Sequence, residues 1–135
     1  AIGLRLVKDA PWITERRLEI AARYDAAFAD LAPALRVPER RPGVRHVFHL
    51  YILRAERRDA LVKQLHAKDI EAKIHYPVPI HLQKASEVAG LGYKRGDFPI
   101  TEADSDCVVT LPAHQHLSDA EVGYVIETVR GFYDA

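Results

Sequence analysis

The sequence has a single cysteine, Cys107, in 135 residues, which excludes an internal disulfide framework and any thiolate metal cluster. It also lacks an excess of either charge, since Lys plus Arg and Asp plus Glu each number 19. A polyelectrolyte therefore finds no ready footprint, and nucleic acid is not an expected partner. No apolar run approaches the length of a bilayer crossing, and the opening residues are too charged for a secretory leader. The expectation is a soluble, cytoplasmic protein with no membrane partner. No serine lies in a G-x-S-x-G elbow and no glycine-rich phosphate loop occurs, so nucleophilic catalysis and nucleotide hydrolysis have no motif to rest on. Cys107 itself sits in an apolar, strand-like run, where a thiol is ordinarily inert packing.

What is present suits one ordinary domain over residues 1–135, long enough to bury a core. Ala1-Ile2-Gly3-Leu4 opens without Met and runs straight into an amphipathic pattern, so the expectation is a fragment or a processed chain. From Asp9 to about Leu31, Trp12, Ile13, Ile20, Tyr24, Phe28 and Leu31 recur at helical spacing, with Pro11 near the helix start. The other face carries Glu15, Arg16, Arg17, Glu19, Arg23 and Asp25, a mixed-sign run that reads as a solvated face. Val37 to Gly43 reads as a surface loop, and His46 to Leu53 as a strand rich in β-branched, aromatic and apolar residues.

Arg57 to Lys68 places Leu61, Val62 and Leu65 on one helical face. Ile70, Ala72 and Ile74 alternate with polar Glu71 and Lys73, the pattern of a second strand through His75. His81 to Val88 predicts a short helix stopped by Gly90 and Gly92, Thr101 to Asp106 another, and Cys107 to Leu111 a short buried strand. Ser118 with Glu121 three residues on has capping-box spacing, and Val122, Val125, Ile126, Val129 and Phe132 continue at helical intervals. The fold class is α+β: a long N-terminal helix, with 1–32 as a linking region, then a small sheet covered by helices over 44–135.

Of the seven histidines, the pairs His75/His81 and His114/His116 invite a metal reading, but no acidic or cysteine ligands accompany them at recognised spacing, and no metal is expected. His46 and His49 fall on opposite faces of the expected strand. The segment from His75 to Gln83 is the most informative. Its prolines, Pro77 and Pro79, fix φ and remove donors, making a stiff connector that carries His75, Tyr76, His81 and Gln83. Two readings stand open: polar groups preorganised for a ligand, or groups that cap the sheet edge and pack the next helix.

The run His75-Tyr76-Pro77-Val78-Pro79-Ile80-His81-Leu82-Gln83 resembles a conserved block of the DegT/DnrJ/EryC1/StrS family of pyridoxal-phosphate-dependent sugar aminotransferases. Three further stretches resemble that family in order and spacing: the opening helix with Trp12 to Tyr24; Gly92 to Pro99 with Glu102; and Thr110-Leu111-Pro112 before the Leu117-Ser118 helix start. The likeness covers essentially the whole chain. Ala113-His114-Gln115-His116 departs from the expected aromatic-proline sequence and leaves the sugar undefined.

The resemblance implies the C-terminal small domain of an enzyme that transfers an amino group from an amino-acid donor to a nucleotide-linked keto-sugar. It implies pyridoxal phosphate in the intact enzyme, held by a large domain absent from this chain, and a homodimer with active sites near the interface. Lys63, Lys68, Lys73, Lys84 and Lys94 match no part of the family's lysine motif, so no catalytic residue, bound cofactor or transamination is expected of this chain alone. The implied substrate-binding candidates are His75, Tyr76, His81 and Gln83, with Pro77 and Pro79 as rigid support. A different class of reading is a stand-alone, non-catalytic interaction module derived from such an enzyme.

Overall fold

The computed structural model describes residues 2–134. Helix α1 spans Ile2–Phe28 and runs into a 3-10 turn at Ala29–Leu31. Strand β1 is Leu35–Arg36, β2 is Tyr51–Ala55, and α2 is Arg58–Ala67. A 3-10 turn at Ile80–Leu82 precedes α3 (Lys84–Val88), α4 (Pro99–Cys107), β3 (Val108–Leu111) and α5 (Asp119–Tyr133). The three strands form one antiparallel sheet in the order β1-β2-β3, so the architecture is the α+β arrangement expected.

Register decides which side chains go inside. Tyr51 pairs with Leu111 and Leu53 with Val109, and because a strand alternates its faces, these four residues share one side. All four are buried, together with Ile20, Tyr24 and Phe28 of α1, Leu61 and Leu65 of α2, and Val122, Val125, Val129 and Phe132 of α5. Tyr24 stands 4.9 Å from Tyr51, ring centroid to centroid, and its hydroxyl donates to Pro112 O at 2.9 Å. Desolvation at this site raises the Tyr24 pKa far above its ordinary value. Ile52 and Thr110 pair on the opposite side, where Arg54 of β2 meets Asp104 of α4 at 2.9 Å.

Several expectations need correction. Helix α1 begins by Ile2, so Pro11 lies inside it instead of at its start and offers no N–H to the carbonyl of exposed Val7 one turn earlier. The strand expected from His46 begins only at Tyr51. Phe48 has φ 47°, outside the strand region, and the carbonyls of Phe48 and His49 both accept from Arg17 Nη1 at 2.9 Å instead of joining a ladder. Ile70 to Lys73 keeps its alternating burial, Ile74 and His75 are both half-buried, and the stretch makes one bridge, Lys73 with Thr110, not a strand. Cys107 closes α4 instead of opening β3, and β1 lies in a stretch with no strand expectation.

The polar face of α1 is only partly solvated: Glu15 and Glu19 stay exposed, but Arg16 and Asp25 are mostly covered by partners. Arg16 and Arg23 both reach Asp119 Oδ1 at 2.8 Å, Asp25 takes two bonds from Arg40 and one from the Tyr51 hydroxyl, and Glu15 pairs with Arg45. These contacts tie α1 to the start of α5 and to the 40–49 loop. At that helix start the capping box is formed as read, with Ser118 Oγ accepting from Glu121 N and the Glu121 side chain accepting from Ser118 N.

Leu53 is fully buried at the centre of the sheet, so Leu53→Ala is expected to cost about 2–5 kcal/mol of unfolding free energy. Urea denaturation followed by circular dichroism measures it.

Candidate functional site

The connector is pinned at both ends. At its start Lys73 N donates to Thr110 O at 3.1 Å and Thr110 N to Lys73 O at 2.7 Å, which anchors the chain to β3. His75 Nδ1 then lies 2.9 Å from the hydroxyl of buried Thr110, and the Tyr76 ring stands edge-on to the His75 ring at 5.3 Å. The His75–Tyr76 peptide is cis. Pro77 is exposed, whereas Pro79 is buried at φ −55°, ψ 144° and leads into the Ile80–Leu82 turn. Gln83 Nε2 donates to Val78 O at 3.0 Å, and Ser86 Oγ to Ile80 O at 2.6 Å. The segment is thus stiffened by hydrogen bonds as well as by its prolines.

At its far end the connector meets a carboxylate. Glu102 of α4 and His81 each leave 8% of their side chain exposed, and His81 Nε2 lies 2.9 Å from Glu102 Oε1. Gly96 N donates to both carboxylate oxygens, at 2.8 and 3.0 Å, and Phe98 N to Oε1 at 3.3 Å. Burial opposes ionisation of Glu102. The hydrogen bonds from Gly96, His81 and Phe98 outweigh it and hold the carboxyl below its ordinary value. Gly96 reaches this geometry at φ 99°, a backbone conformation that suits glycine. Above the pair, Phe98 packs 4.7 Å from the His81 ring and 5.2 Å from Tyr93, and Ile80, His81, Leu91, Tyr93 and Phe98 line a cavity of about 270 Å³.

The four site candidates do not converge on one point. His81 borders that apolar cavity, whereas His75 borders another of about 410 Å³ with Lys73, Thr110, His114 and Tyr124. Gln83 spends its amide on Val78 O. Tyr76 is 65% exposed, with its ring available to a partner or ligand. Among the described residues no three His, Cys, Asp or Glu side chains form a group that could hold a metal ion. Reading the sequence gave no role to Glu102 or Thr110. Thr110 was marked only as a polar residue inside an apolar strand and by its place in the Thr110-Leu111-Pro112 pattern, and Glu102 only by its place in the Gly92-to-Glu102 pattern.

Exposed apolar surface is concentrated here. More than half of the large apolar side chains exposed among the described residues fall between Tyr76 and Ile100, including Ile80, Val88, Leu91, Tyr93 and Ile100. Exposed apolar side chains gathered in one stretch of chain are a candidate interaction surface.

The sequence pattern of the DegT/DnrJ/EryC1/StrS aminotransferase family matches residues 1–130. The chain belongs to this family. It is 38% identical over 129 residues to a dTDP-3-amino-3,4,6-trideoxy-alpha-D-glucose transaminase of Streptomyces venezuelae, covering 96% of this chain and 33% of that protein. It is 36% identical over 115 residues to the erythromycin biosynthesis sensory transduction protein EryC1 of Saccharopolyspora erythraea, covering 85% of this chain and 31% of that one. The fold superposes on the S. venezuelae DesV structure, solved with a ketimine intermediate, with TM-score 0.90 and 34% identity over 98% of this chain and 35% of that chain. It also matches a Streptococcus pneumoniae structure described as a sugar aminotransferase in its PLP form, with TM-score 0.85 and 30% identity over 98% of this chain and 34% of that chain. This family member thus spans about a third of the length of the relatives it matches.

Its residues do not fit a site for pyridoxal phosphate. A lysine that condenses with the cofactor needs a desolvated, charge-tuned pocket, and Lys8, Lys63, Lys68, Lys73, Lys84 and Lys94 are all exposed.

A carboxyl held below its ordinary value stabilises the fold above its unfolded pKa, and that contribution disappears as pH falls through the folded value. The melting temperature should therefore drop on acidification below about pH 4.5, the ordinary glutamate value. Glu102→Gln should melt lower than wild type at pH 7 and fall less steeply in acid. Thermal melts across pH 3–8 read both slopes.

Proposed function

We propose that this chain is the C-terminal small domain of a cytoplasmic, pyridoxal-phosphate-dependent aminotransferase acting on a nucleotide-linked keto-sugar. The observation that carries this reading is the stiff connector from His75 to Gln83, flanked by exposed apolar side chains, in a chain that matches a third of its transaminase relatives. On this reading residues 1–32 link to a large domain that binds the cofactor, and residues 44–135 are the small domain. The apolar face between Tyr76 and Ile100 packs on that large domain or on the second subunit of a homodimer. An amino acid, glutamate or glutamine, supplies the nitrogen.

Pyridoxal phosphate supplies the chemistry of amino transfer where the large domain binds it. The part of this chain is to bind and orient. Tyr76, exposed beside His75, offers its hydroxyl to the sugar or phosphate of the substrate. Pro77 and Pro79 fix the path of the backbone, so little conformational entropy is lost when a ligand engages it. His75 and His81 offer further hydrogen-bonding nitrogens, and Gln83 keeps the connector closed through Val78. Neutral overall charge gives nucleic acid no footprint, and among the described residues no helix is long and apolar enough to cross a membrane, so neither partner has a role in this reading.

The 135-residue chain alone should show no pyridoxal phosphate absorbance and no amino transfer to a dTDP-keto-sugar, while the full-length protein shows both. Stable cofactor binding by the isolated chain would overturn the assignment. In the full-length protein Tyr76→Phe should raise KM for the nucleotide-sugar roughly five- to ten-fold, as expected for loss of a hydrogen bond of about 1 kcal/mol, with kcat little changed. Steady-state kinetics check it, and an unchanged KM removes Tyr76 from the site.

A further inference from the structure

The contact between His81 and Glu102 settles more than the position of a loop. An ionised carboxylate only accepts hydrogen bonds, and Glu102 Oε1 already accepts from Gly96 N at 2.8 Å and Phe98 N at 3.3 Å. His81 Nε2, 2.9 Å from the same oxygen, must then be a donor. In a neutral imidazole a proton on Nε2 leaves Nδ1 with a bare lone pair. Among the described residues no donor is bonded to His81 Nδ1, and that nitrogen is not one of the sealed polar atoms without a partner. It therefore keeps a little exposure, at the edge of the cavity lined by Ile80, Leu91, Tyr93 and Phe98, although only 8% of the side chain is exposed. The ring is also fixed in orientation, by Phe98 packed at 4.7 Å on one side and by the carboxylate at its Nε2 edge.

We infer that Glu102 is a positioning residue that fixes the neutral His81 ring as the Nε2–H tautomer, so that in this form Nδ1 is a hydrogen-bond acceptor beside the connector, matched to a hydroxyl or N–H of a sugar and not to a phosphate oxygen. A phosphate oxygen and a bare Nδ1 are both acceptors and repel, whereas a ring hydroxyl donates. The ligand half of this inference rests on the connector facing substrate, while the tautomer half stands without it. The carboxylate thereby couples two things. It clamps the 93–98 loop through two backbone amides, and it selects what the neighbouring histidine can recognise.

Nitrogen-15 NMR of the His81 ring in the 135-residue chain, recorded near pH 8.5, well above the ordinary histidine pKa of about 6.5, tests this directly. Wild type should show a protonated Nε2 and a bare Nδ1. Glu102→Gln should move the ring toward a mixture of tautomers and speed exchange of the Gly96 amide by about ten-fold or more, as loss of a charge-assisted hydrogen bond implies. His81→Gln, whose amide can still donate to Glu102, should keep Gly96 protected. A wild-type ring protonated on Nδ1 overturns the inference and requires no variant to fold; so does a Glu102→Gln protein with tautomer and exchange unchanged. For the ligand half, the full-length protein labelled at histidine should show the Nδ1 signal moving with dTDP-glucose and not with inorganic pyrophosphate. Movement with pyrophosphate sinks the ligand half. No movement with dTDP-glucose, with the tautomer as inferred, counts against the connector as a substrate-facing segment and leaves the positioning role of Glu102 standing.

Discussion

The pairing of β2 with β3 is the constraint on which everything else depends. With Tyr51 opposite Leu111 and Leu53 opposite Val109, one face of the sheet must be apolar and must be covered, and α1, α2 and α5 cover it. A shift of one residue would send those side chains to the other face. The same register puts Thr110 on the far side, where its backbone anchors Lys73 and its hydroxyl receives His75. The position of the candidate site thus follows from the core: the strand that buries Val109 and Leu111 also fixes the first residue of the connector.

From that anchor the chain runs on to His81, where it is gathered by Glu102. Its buried carboxylate joins the Ile80–Leu82 turn, the loop through Gly96 and helix α4. A charge so placed is stable only because donors surround it. Around this polar centre the surface is apolar and exposed, with Ile80, Leu91, Tyr93 and Ile100 open to solvent. A rigid polar hub beneath an uncovered apolar surface suits a face that meets another protein surface and a ligand together, which is the place a small domain would hold against a cofactor-binding partner domain.

Much of this was legible in the sequence where local pattern decides structure. The periodicity of Val122, Val125, Val129 and Phe132 marked α5, Ser118 and Glu121 marked its start, and Leu61 with Leu65 marked the buried face of α2. The errors came where distant groups intervene. His46 to Leu50 has the composition of a strand, yet Arg17, some thirty residues earlier in the chain, takes the carbonyls of Phe48 and His49. The charged face of α1 looked solvated because its partners, Asp119, Arg40 and Arg45, lie far away in sequence. At the site, the stiffness of the connector could be read from Pro77 and Pro79. The burial of Glu102 could not, since an acid in the first turn of a short helix is ordinarily a surface residue.

On the proposed reading, the face from Tyr76 to Ile100 is covered by a large domain or by a second subunit. Hydroxyl-radical footprinting of the isolated chain and of the native full-length protein tests it most directly. The account predicts strong labelling of Tyr76, Ile80, Tyr93 and Ile100 in the isolated chain and marked protection of them in the native protein, with Tyr24 and Tyr51 protected in both. Equal labelling of that face in the two samples would contradict it.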